Sequence, residues 1–277
     1  MYRAKDAGRN NFQFFTADMN RAATARLDLE NELRKALLRG DLALVYQPQF
    51  DLADGRLIGA EALMRWTHEK LGVISPGRFI PVAEECGLIH QIGEFALREA
   101  CRQVRAWQDE GLSPVPVSVN VSARQFAQGD IVQMVRKTLR ETRVEARLLE
   151  LEITESVFTQ DVAQTKTQLA GLHALGVLCS VDDFGTGYSS LARLKEFDLH
   201  RLKIDQSFVA ELAHGTRDRA IATAIVNLGH GLDVAVLAEG VETEEQKRIL
   251  AELGCDQIQG YLCGKPMPAR GLAALLK

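Results

Sequence analysis

Residues 42–63, LALVYQPQFDLADGRLIGAEAL, decide the fold. Two apolar runs, Leu42 to Gln47 and Leu57 to Leu63, read as strands, and Phe50 to Arg56 with Asp54-Gly55 lies between them. Asp-Gly between apolar runs is hairpin chemistry, and parallel neighbours need a crossover of about a dozen residues, more than is present. Strand one is therefore expected antiparallel to strand two. Downstream the rhythm changes. Strand candidates Val115 to Val121, Leu148 to Ile153, Val177 to Asp182, Leu202 to Ile204, Val234 to Ala238 and Gln257 to Ile258 are separated mostly by amphipathic helices. These helices include Gly93 to Gln108, Ile131 to Glu141, Ala163 to Leu175, Arg217 to His230 and Glu244 to Leu253. Eight strands with helices over about 235 residues match a (β/α)8 barrel. The expected class is α/β, a modified TIM-type (β/α)8 barrel with an antiparallel first strand. An open doubly wound sheet stays as the other arrangement, although no G-x-G-x-x-G follows the first strand.

The barrel is expected to occupy residues 41–277. Residues 1–15 read as the remnant of a neighbouring domain: a helix ending at Gly8, Arg9 and Asn10, then a strand-like Phe12 to Phe15. Residues 16–40 read as a connector helix with Thr16 as a cap, its apolar positions Met19, Leu27, Leu33 and Leu37 recurring at loose helical spacing.

Composition narrows the function. The 277 residues carry 33 Lys+Arg against 37 Asp+Glu, a net charge of −4. That disfavours a broad basic surface for duplex nucleic acid. No apolar run reaches the roughly 20 residues that cross a bilayer, and no signal-peptide layout opens the chain, so a cytoplasmic location is expected. Cys86, Cys101, Cys179, Cys255 and Cys263 are scattered without a C-x-x-C pair, which favours free thiols over disulfides or a zinc ribbon. Trp66 and Trp107 read as packing anchors. His68, His90, His173, His200, His214 and His230 read as surface or helix-end residues, and Arg136 to Arg147 as a solvated face.

In such barrels chemistry is built where strands end at the C-terminal face. The polar residues there are Glu61 in LIGAEAL, Asn120 in VSVNVS, Glu152 in LELEIT, Asp182 and Asp183 in VLCSVDD, Lys203 in LKID, Glu239 in VLAEG and Gln259 in QIQG. Any one alone reads as a solvated charge or a structural ion pair; so many together do not. Unpaired carboxylates packed side by side repel, and divalent cations relieve that. An all-oxygen set without Cys or His selects hard ions, two Mg²⁺ or Mn²⁺ rather than Zn²⁺. Asp182 and Asp183 can hold both ions, the first bridging and the second serving one. Paired ions suit hydrolysis of a phosphodiester, with Lys203 positioning water or neutralising phosphate charge. Phe184 to Leu191, FGTGYSSL, has the glycines of a movable lid but not the Gly-Lys-Ser/Thr of a Walker A loop; its plainer reading is an ordinary βα turn.

Glu61-Ala62-Leu63 with Arg65, Asn120, LEITES, DDFGTGYSSL, LKID, AEGVET and QGYLCGKP together resemble the EAL family of cyclic di-GMP phosphodiesterases, from Leu33 to about Leu276. The resemblance implies hydrolysis of cyclic di-GMP to linear pGpG with two Mg²⁺ or Mn²⁺ ions, and a homodimer. It implies that Glu61, Asn120, Glu152 and Asp182 hold the first metal and that Asp182 and Asp183 hold the second, with Glu239 completing the cluster directly or through water. Lys203 is similar to the lysine that contacts the catalytic water. Glu155 resembles the residue anchoring the DDFGTG loop beside the dimer interface. Gln47, Leu63, Arg65, Glu242, Gln259 and Tyr261 correspond to positions lining the dinucleotide pocket. Cys263 and Gly264 depart from the family pattern, which has a Phe and a small polar residue there, and are expected to loosen the wall behind Gln259 and Tyr261. The opening MYRAKDAGRNNF is similar to the end of a GGDEF diguanylate cyclase domain, so an upstream GGDEF or sensory domain is implied. The alternative function is a degenerate receptor that binds the dinucleotide and signals through the connector helix. A further one is an unrelated metal-dependent barrel acting on a sugar phosphate.

Overall fold

The computed structural model describes residues 17–159, 161–186, 194–213 and 215–277. The helix end and strand read into residues 1–15, the Thr16 cap, the stretch GYSSLAR of the glycine loop, and His214 lie outside the described residues.

Strand β1 (Leu42–Asp51) turns into β2 (Leu57–His68) through the hairpin expected from Asp54-Gly55. The Asp51 carboxylate accepts backbone N–H bonds from Ala53 and Asp54 at 2.9 and 3.2 Å, closing the turn. β2 continues past Leu63 because its far end pairs with a short strand absent from the sequence reading, β3 (Gly72–Ile74), with Trp66 opposite Ile74. Glu61 therefore stands mid-strand, not at a strand end. Five parallel strands follow, β4 (Val117–Val121), β5 (Leu149–Thr154), β6 (Leu178–Phe184), β7 (Arg201–Ile204) and β8 (Ala235–Ala238), then β9 (Gln257–Gln259). β1 is antiparallel to both β2 and β9, and it closes the eight-stranded barrel.

Among the described residues the α-helices are α1 (Ala17–Arg39), α2 (Pro76–Cys86), α3 (Ile89–Asp109), α4 (Ala123–Gln128), α5 (Ile131–Thr142), α6 (Val162–Leu175), α7 (Gln206–Ala210), α8 (Thr216–Gly231), α9 (Glu244–Glu252) and α10 (Ala269–Ala273). Local chemistry sets several of their starts. Ser122 before α4 and Thr243 before α9 each form a reciprocal capping box with the Gln three residues on. Asp130 and Asp161 cap α5 and α6 by accepting the backbone N–H of Gln133 and Gln164.

Two apolar clusters result. The larger fills the barrel wall and its helices, with Trp107 buried edge-on against Tyr46 at 5.3 Å between ring centroids. The second lies under α1, where Leu29, Leu33 and Ala36 pack with Trp66 and Phe79. Leu27, one of the apolar positions that recur at helical spacing, is exposed; the i, i+4, i+7 spacing of residues 29, 33 and 36 sets the buried face. His68 is likewise not a surface residue. It is 8 % exposed, and its Nε2 meets Glu32 on α1 at 3.0 Å while Nδ1 accepts the N–H groups of Lys70 and Leu71. His173 and His230 do lie in last helical turns. All five cysteines are free thiols.

Candidate active site

The barrel mouth gathers side chains from six strands. β2 supplies Glu61, β4 Asn120, β5 Glu152, β6 Asp182 and Asp183, β7 Lys203, and β9 Gln259; Glu239 follows β8 directly. In a regular strand Asp182 and Asp183 would face opposite sides. Here the β6–β7 register slips between Val181 and Phe184, and Asp183 takes a left-handed φ of 53°. Such backbone costs about 1–3 kcal/mol in a non-glycine residue. It lets both carboxylates serve one place: Asp182, Asp183 and Glu239 each bring an oxygen within 4.8 Å of the others.

Lys203 is the hub. Its side chain is 0 % exposed, and Nζ lies 2.9 Å from Glu152, 2.9 Å from Asp182, 2.5 Å from Glu239 and 3.9 Å from Glu61. Burial alone would favour the neutral amine, but the carboxylates of Asp182, Glu152, Glu239 and Glu61 hold its pKa well above the ordinary lysine value. The carboxylates respond unequally. Burial, reinforced by the charge of Glu61, pushes Glu152 well above the usual range. Burial also raises Glu239, against the pull of Lys203, and raises Asp183 to about 6 with help from Asp182 and Asp205. Glu61 goes the other way: burial opposes its ionisation, but Lys203, Gln259 and Asn120 outweigh it and hold its carboxyl low. Both oxygens of Glu61 are engaged, Oε1 by Asn120 Nδ2 at 2.7 Å and Oε2 by Gln259 Nε2 at 2.6 Å.

One ammonium does not balance five carboxylates. Glu152 Oε1 and Oε2 and Asp182 Oδ1 are buried without an aligned hydrogen bond, the condition a hard divalent cation corrects. The donor set fits such ions.

Beside the acidic cluster opens a pocket of about 320 Å³. All six expected pocket residues, Gln47, Leu63, Arg65, Glu242, Gln259 and Tyr261, line it, together with Glu61, Asp182 and Glu239. Gln206 and Pro266 also line it and were missed by the sequence reading; Gln206 directly follows LKID, which was the available signal. Lys265 lies 5.3 Å from the centroid of the half-exposed Tyr261 ring. Gly264 does not loosen the wall: a Cβ there would fall 2.7 Å from Pro48 Cγ, and its carbonyl accepts a 3.1 Å bond from Gln47 Nε2. Glu155 sits behind β6, where Oε2 accepts the backbone N–H of Gly185 at 3.2 Å.

Residues 30–266 match the EAL domain. The chain belongs to the EAL family. The EAL domain is 50 % identical over 274 residues to the bifunctional diguanylate cyclase/cyclic di-GMP phosphodiesterase MucR of Pseudomonas aeruginosa, covering 99 % of this chain and 40 % of MucR. It is 42 % identical over 277 residues to the cyclic di-GMP phosphodiesterase NbdA of the same organism, covering 100 % of this chain and 35 % of NbdA. The chain thus spans well under half the length of these curated relatives. Among solved structures, the MucR phosphodiesterase in complex with c-di-GMP superposes with a TM-score of 0.85 at 49 % identity, covering 88 % of this chain and 99 % of that one. Among the described residues no helix is long and apolar enough to cross a membrane.

Proposed function

We propose that this EAL domain hydrolyses one phosphodiester bond of cyclic di-GMP to give linear pGpG. The observation that carries the reading is the convergence of Glu61, Glu152, Asp182 and Glu239 on buried Lys203, with Asp183 joining Asp182 and Glu239, at the edge of a pocket large enough for part of a dinucleotide. Glu61, Asn120, Glu152 and Asp182 would hold one Mg²⁺ or Mn²⁺, and Asp182, Asp183 and Glu239 the other. Bound there, such ions supply a water of lowered pKa and positive charge for phosphate oxygens. Arg65 offers a forked guanidinium to a phosphate from the pocket wall. Lys203 keeps its proton and stabilises negative charge beside the reacting phosphate. Glu155 fixes the glycine loop through Gly185. The likeness to part of the bifunctional MucR supports an upstream GGDEF or sensory domain, with α1 as the connector; the homodimer is carried over from the family resemblance.

The test is incubation of the purified chain with cyclic di-GMP and Mg²⁺ or Mn²⁺, with separation of the nucleotides. Appearance of pGpG that stops on chelation is expected. A stable complex with intact cyclic di-GMP after hours would replace the enzyme with a receptor.

A further inference from the structure

Beneath the acidic mouth lies a second polar layer inside the barrel. Gln49 on β1 and Arg201 on β7 are 0 % and 2 % exposed, and neither belongs to the pocket. Arg201 Nη1 donates to Gln49 Oε1 at 2.7 Å and lies 3.6 Å from Glu150. Gln49 Nε2 donates to Gln259 Oε1 at 2.8 Å, and Gln259 Nε2 donates to Glu61 Oε2 at 2.6 Å.

The polarity of this chain is forced from both ends. A guanidinium has donors only, so Gln49 must turn its oxygen to Arg201 and its NH₂ to Gln259. At the other side Gln47 Nε2 donates to the carbonyl of Gly264, which can only accept, so Gln47 turns its oxygen to Gln259 Nε2 at 3.2 Å. Both constraints give Gln259 the same orientation, with its NH₂ on Glu61. Gly59 makes room for the device: it faces Gln49 across the β1–β2 ladder, and a Cβ there would fall 2.5 Å from Gln49 Oε1.

We propose that Arg201, Gln49 and Gln259 form a one-way hydrogen-bond relay that fixes the Glu61 carboxylate for metal binding, with Arg201 and Gln49 as positioning residues. The inference rests on the metal reading of Glu61. Outer partners that orient ligands typically govern metal affinity by about 10- to 100-fold.

The deciding variant is Gln49→Glu. A carboxylate still accepts from Arg201 but has nothing to donate, so an oxygen would confront Gln259 Oε1; if Gln259 flips, its oxygen confronts Glu61 and Gln47 instead. Isothermal titration calorimetry with Mn²⁺ should show the dissociation constant raised about tenfold or more, in a protein whose circular dichroism matches that of the parent. Gly59→Ala, which displaces the Gln49 amide without changing it, is the second variant and should shift Mn²⁺ affinity in the same direction. Parent-like Mn²⁺ affinity in a folded Gln49→Glu protein, or in Gly59→Ala should the first not fold, would overturn the relay. A parent that binds no Mn²⁺ overturns the metal reading and the relay together, whereas tight Mn²⁺ binding without pGpG formation overturns only the enzyme.

Discussion

Replacing Lys203 by methionine separates two ways of balancing the mouth. The ammonium is fully buried, 2.9 Å from both Glu152 and Asp182 and 2.5 Å from Glu239. Removing one partner of a buried ion pair costs about 3–5 kcal/mol, because the other charge stays buried and unpaired. In a chain of this size each kcal/mol moves the melting temperature by roughly 2 °C, so the variant should melt about 6–10 °C below the parent in EDTA. Each ion held at one hundred times its dissociation constant adds about 2.7 kcal/mol, so two ions are comparable to the loss. The variant should gain more from them than the parent, whose lysine already repels cations from the site. Melting curves in EDTA and in saturating Mn²⁺ are therefore expected to show the gap shrinking by half or more. Turnover should stay low even in Mn²⁺, by about 100-fold or more, since the donor proposed to stabilise the reacting phosphate is not replaced. An equal gap in both buffers would refute the charge argument, and a near-normal kcat would refute the assigned role of Lys203.

Three further outcomes follow from single contacts. Glu61→Ala should abolish pGpG formation and weaken the calorimetric Mn²⁺ signal together; lost turnover with unchanged Mn²⁺ binding would remove Glu61 from the metal set. Gly185→Ala forces a Cβ onto a residue at φ +97° and within 3.0 Å of Phe208 Cε2, at about 1–3 kcal/mol of strain; kcat should fall about tenfold or more, and an unchanged kcat would mean that the Glu155–Gly185 bond has no part in turnover. Hydrogen bonds from Lys35 and then His68 hold the Glu32 carboxyl at about 2 instead of 4.5. A depressed carboxyl stabilises the fold above its unfolded value and loses that contribution as pH falls from 4.5 toward 2. Urea midpoints at about pH 6 and about pH 3 should therefore differ less in Glu32→Gln than in the parent, and equal pH sensitivity would disprove the contribution.

The sequence made the barrel legible where local chemistry decides geometry. Asp54-Gly55 between two apolar runs can only turn back, so the antiparallel start was readable from a few residues. β3 was not, because three residues paired only to the end of β2 carry no period. The mouth was legible because charged residues next to apolar runs are expensive to bury and therefore conspicuous. Gln49 was invisible for the opposite reason: a neutral amide inside a strand looks like an ordinary polar face, and its role exists only through Arg201, which is 152 positions away. His68 was misread in the same way, since its partner Glu32 lies on another element. Motifs thus expose residues that act by their own charge, whereas residues that act by fixing the direction of a neighbour's hydrogen bond appear only when the barrel closes. The Gln49→Glu titration tests that division directly, because the substitution adds a charge remote from the ions and removes one donor. If the added charge alone governed the outcome, the new anion would strengthen cation affinity; a weaker affinity in a variant that keeps the parent fold points to the lost orientation.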